Sequence, residues 1–179
     1  MYLGEKGQRT LRILHIMSAS AWLGSVLCVL ALVHAAPRCA SDDELFGMLR
    51  ASVVISQYVL VPAGAFGTFF TGLTYSLCTY RGFVRYPWVL CKWILAVGMT
   101  AFGVVWLGPW AGQELDDVRQ YGAAAYERPA IAAMHARRER CYAAYAGLLT
   151  LSVALAVCRP GEKNASRQSP DRSAILLRK

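Results

Sequence analysis

The chain has 179 residues, of which 56% are hydrophobic and only 17% charged, with a formal net charge of +8. That balance excludes an ordinary small soluble domain, and it places the chain in a membrane. The positive charge needs no nucleic acid to explain it, because much of it lies in a short basic tail suited to anionic lipid headgroups.

About 20 apolar residues match the hydrocarbon thickness of a bilayer. Four stretches qualify, at residues 11–34, 52–78, 87–110 and 141–158, so the predicted fold is all-α, a bundle of four transmembrane helices within residues 1–160 followed by a basic tail at 161–179. The first stretch has the basic flank of a secretion signal, but its apolar core exceeds the roughly 7–15 residues such signals use. It is read as a retained membrane helix.

In chain order, "SDDELFGML" after the first span reads as a short, capped amphipathic helix lying at the membrane surface. The second span carries Pro62 among Gly64, Gly67, Thr68, Thr71 and Gly72, small or hydroxyl residues that admit either a neighbouring helix or a flat ligand. The third span holds Lys92. The longest connection follows it, and from Pro129 helix is expected to run unbroken into the fourth span, its first turns standing above the membrane.

Eleven Lys and Arg residues fall on the side shared by both termini and seven on the other, which predicts cytoplasmic termini in a bacterial inner membrane. On the outer side Cys39 and Cys141 could form a disulfide; the alternative is that all six cysteines are packing residues.

Ionisable groups inside spans are costly and mark function. His15 and Lys92 each lie about 6 Å below the cytoplasmic surface. If the stripe of His15 and Trp22 faces that of Lys92 and Met99, they enclose an apolar pocket suited to haem, with His15 as axial ligand and Lys92 as propionate partner or second ligand. His34 and His135 share the outer level and could hold a metal or a second haem. No phosphate loop, CxxC or HExxH motif is present.

"LRILHIMSASAWLGSVL", "PAGAFGTFFTGLTYSL", "WVLCKWILAVGMTAFGVVWLG" and "LAVCRP" together resemble a family of small bacterial four-helix membrane proteins. That family is related to the CopD membrane domain and to HemJ-type protoporphyrinogen oxidases, and the resemblance covers about residues 11–160. It implies a functional pair at His15 and Lys92, with His15 binding haem. The Asn-Glu-x-Pro motif of the HemJ type and the Asn-Arg pair of the CopD type are absent, so porphyrinogen oxidation and copper uptake are not implied with it. The leading expectation is therefore a b-type haem protein serving electron transfer or porphyrin chemistry. The alternatives are a cofactor-free accessory subunit of a larger membrane complex, a homo-oligomer, or a copper or small-solute handling protein.

Overall fold

The computed structural model describes residues 4–78 and 87–158, and over these it is helical without strands. The basic tail, the inner connection with Arg81 and Arg85, and the side chain of Cys78 lie outside the described residues.

The described residues form four helical rods. The first is α1, Glu5–Ala35, ending in a 3-10 turn at Ala36–Arg38. The second begins with α2, Asp42–Ile55, whose start is capped reciprocally: Ser41 accepts the Glu44 N–H and the Glu44 carboxylate accepts the Ala40 N–H. This rod widens into a π-helical stretch, Ser56–Phe66, and continues as α3, Gly67–Cys78. Pro62 sits inside the π stretch; it lacks an N–H and would clash with an α-helical carbonyl, and the looser winding absorbs that defect.

The third rod is α4, Pro87–Phe102, a π turn at Gly103–Leu107, and α5, Gly108–Tyr121. Gly122 ends it at φ +59, and a 3-10 segment, Gly122–Glu127, leads to α6, Pro129–Cys158. The expected unbroken helix from Pro129 is present. At Gly122 a Cβ would fall 2.2 Å from the Asp42 carboxylate, which also accepts the Ala123 N–H at 2.7 Å. Gly122→Ala is expected to cost about 1–3 kcal/mol, read as a lower unfolding midpoint.

The rods starting Glu5–Arg38, Asp42–Leu77 and Val89–Glu127 are long and apolar enough to cross a membrane. At 1.5 Å per residue the second and third exceed about 50 Å, well beyond a hydrocarbon core of about 30 Å. The surplus builds a packed cap. There Leu45, Leu49 and Val53 of α2 meet Ala111, Leu115 and Val118 of α5, with Ala125 and Ile131 closing the cluster. The "SDDELFGML" segment is thus the first turns of a long rod.

A second cluster fills the bundle below, with Trp22, Val26, Val29, Leu60, Met99, Tyr142 and Tyr145 at its centre. Outside it, Ile16, Met17, Phe70, Ile94 and Val105 are exposed, as a lipid-facing surface requires. The α1 helix packs on the second rod and on α6. A Cβ on Gly64 would lie 2.8 Å from Trp22 Cα, and one on Gly67 would lie 2.6 Å from Ser18 Oγ. These glycines therefore receive α1 itself. Gly64→Ala is expected to destabilise the bundle by about 1–3 kcal/mol, measured by denaturation in detergent.

The expected Cys39–Cys141 disulfide does not form: both thiols are free. Cys39 belongs to the cap, with Sγ 3.6 Å from Met48 Sδ, whereas Cys141 packs against the bundle cluster beneath.

Candidate functional site

The inner end is built on α1 and α3. The His15 ring lies against Gly72, where an added Cβ would sit 3.3 Å from His15 Cε1, and Nδ1 is 2.9 Å from Thr71 Oγ1. The Thr71 hydroxyl has one proton, and it donates to the Gly67 carbonyl at 2.6 Å. With the Thr71 proton so placed, its oxygen can accept from a His15 Nδ1–H, the tautomer that keeps a lone pair on Nε2. A haem or metal ligand histidine needs that tautomer, fixed by a second hydrogen bond. His15 therefore fits an axial-ligand role.

Lys92 on α4 is half-buried, has no carboxylate partner among the described residues, and is close enough for its charge to act on His15. A propionate would supply the missing counter-charge.

The cavity at bundle depth lies higher. It encloses about 290 Å³ and is bounded by Trp22, Met99, Gly103, Tyr142 and the π stretch, and its lining includes neither His15 nor Lys92. Trp22 and Met99 both line this cavity. Met99 is pinned there because its carbonyl accepts the Tyr145 hydroxyl.

The outer histidines have different hydrogen-bond partners. His34, exposed at the end of α1, pairs through Nδ1 with Glu139 Oε1 at 2.6 Å, while the Arg38 guanidinium donates to the His34 carbonyl. The hydrogen bond from His34 holds the Glu139 carboxyl below its ordinary range. This tie between α1 and α6 is therefore present above the usual carboxylate pKa and is lost only as pH falls through the depressed value.

His135 belongs to a different, buried group. Its Nδ1 lies 2.6 Å from Glu114 Oε1, which also accepts the Tyr126 hydroxyl at 2.7 Å, and the Tyr126 and His135 rings meet edge to face. Arg138 Nε lies 3.2 Å from Glu114 Oε2. Glu114 and Arg138 are each 0% exposed, so a full ion pair is removed from solvent where the cap meets the bundle. His135 Nε2 and both terminal nitrogens of Arg138 are buried without hydrogen-bond partners.

Glu114, Tyr126 and Arg138 are absent from the sequence-based candidates, where Glu114 and Arg138 count only as charges on the outer side. A signal was there: Ala111, Glu114, Leu115 and Val118 share one face of α5, and Ile131, His135, Arg138, Tyr142 and Tyr145 share one face of α6. Among the described residues, no group of three or more His, Cys, Asp or Glu side chains is arranged to hold a metal ion.

Comparison with protein-family models, with curated proteins and with solved structures finds no match.

Proposed function

We propose that the chain is an integral membrane protein of four spans, with its termini cytoplasmic in a bacterial inner membrane, that binds b-type haem through His15. The observation that carries this reading is the 2.9 Å contact of His15 Nδ1 with the Thr71 hydroxyl, which suits the tautomer that presents Nε2 as a ligand atom. Lys92 supports it as a cation that has no carboxylate partner among the described residues and is available to a propionate. Haem bound there supplies one-electron redox chemistry. The chain's own contribution is to fix the imidazole, to place a cation beside it and to surround both with apolar helix.

The fourth span is α6, whose charged opening turns at Arg137–Arg140 belong to the cap and whose apolar remainder reaches Cys158. The accessory-subunit reading draws less support, because Gly64 and Gly67, the small surfaces a partner would grip, are already covered by α1.

The test is the visible spectrum of protein purified in mild detergent, oxidised and then dithionite-reduced, with a pyridine haemochrome assay. A Soret band that shifts on reduction at near one haem per chain is expected. A featureless spectrum from folded protein expressed with added haem overturns the reading, and a stable co-purifying membrane complex would then favour the accessory role.

A further inference from the structure

The cavity at bundle depth is a slot between two π-helical walls, Ser56–Phe66 on one side and Gly103–Leu107 on the other. Such segments recur at functional sites. Along the second rod the lining runs from Val53 to Ala65, about 18 Å at 1.5 Å per residue. Exposed Gln57 and Val104 mark an opening sideways, towards lipid. Among the described residues no charged side chain lines the slot, so an ionic ligand would be buried there without a partner.

The polar groups that do line it are nearly all paired already. Ser56 donates to the Ser52 carbonyl and Thr100 to the Ala96 carbonyl, each at 2.8 Å, and Tyr145 donates to the Met99 carbonyl. Tyr142 has Ser56 as its side-chain partner. Trp22 is different. Its backbone lies against Gly64, where an added Cβ would sit 2.8 Å from Trp22 Cα and 3.1 Å from Trp22 N, so the indole is the part of the residue that projects on to the slot. Trp22 is 3% exposed, and its indole N–H has no acceptor among the described residues. A buried donor left unpaired is costly, and an acceptor on a bound molecule removes that cost. Tyr142 and Tyr145 bring two more rings to the same slot, and such rings pack well against a flat one.

We propose that the slot binds a lipid-soluble 1,4-quinone, its ring among Trp22, Tyr142 and Tyr145 and one of its carbonyls accepting the Trp22 N–H. A quinone is neutral and flat, it offers acceptors without donors, and its apolar chain can pass through the opening beside Gln57 and Val104. A hydrocarbon chain alone would fill the same space and leave the indole unpaired. The inference rests on the membrane placement proposed above and is independent of haem.

The test uses the full chain in phosphatidylcholine nanodiscs with a tritiated decyl-1,4-benzoquinone, empty discs correcting for partition into lipid. Saturable binding at one quinone per chain is expected, tighter than that of a decylbenzene with the same ring substitution but no carbonyls. Trp22→Phe keeps an aromatic wall and loses the N–H, so its preference for the quinone over the carbonyl-free probe should fall about three- to tenfold, the effect of one neutral hydrogen bond. Thr100→Phe, which adds a ring to the lining, should abolish saturable binding. Folded, disc-embedded protein that shows no saturable binding overturns the inference. So does a quinone preference unchanged in Trp22→Phe, and so does equal binding of the two probes by the parent chain, which would make the slot a hydrocarbon groove. Failure of the parent chain to enter discs overturns the membrane placement along with it.

Discussion

His15→Ala is expected to remove the Soret band and the haemochrome signal while the protein still reaches the membrane and folds. The substitution takes away the proposed iron ligand, and a haem held only by apolar contacts and Lys92 should be lost on purification. The fold should survive, because His15 is half-buried near one end of α1 and loses a single hydrogen bond to Thr71. A neutral pair of that kind is worth about 1 kcal/mol. Thr71→Val separates ligation from packing: the ring keeps its place on Gly72 but loses the hydroxyl that fixes its tautomer. Haem affinity should then fall by roughly 10–100-fold, the usual effect of removing such a supporting partner. Stoichiometric haem retained in His15→Ala would show that the ligand lies elsewhere.

The rods were legible because their signals are local. Apolar runs of bilayer length mark them, Ser41 and Glu44 spell a capping box, and Pro129 opens α6. The cap was not, because its helices are long apolar rods prolonged past the apolar stretch, and a sequence window set on apolar runs stops where the charges begin. Asp116 and Arg119 do face solvent, but Glu114, one position from Leu115 and four from Val118, turns inward with them. Charge alone could not decide between these fates; position on the apolar face could. Each π stretch goes with a proline: Pro62 lies inside the first, and Pro109, which lacks an N–H for the carbonyl a turn before it, stands at the start of the helix that follows Gly103–Leu107. At the inner end, the residues His15 and Lys92 were legible, whereas the tautomer required the Thr71 hydroxyl and the Gly67 carbonyl to be placed beside each other.

Glu114→Ala should be the most damaging single change in the cap. Arg138 is 0% exposed, and its anionic contact among the described residues is Glu114, so truncation strands a cation in an apolar interior and also removes the acceptor of His135 and Tyr126. Breaking a buried pair from one side costs about 3–5 kcal/mol. The expected result is a large drop in the unfolding midpoint in detergent, or failure to accumulate folded protein. The double variant Glu114→Gln, Arg138→Met keeps similar volumes and leaves no uncompensated charge, so it should recover most of that loss. Glu139→Ala is the matching control: its histidine partner is 60% exposed, and surface pairs contribute about 0–1 kcal/mol. If Glu114→Ala proves as mild as Glu139→Ala, the cap must open to water around Arg138.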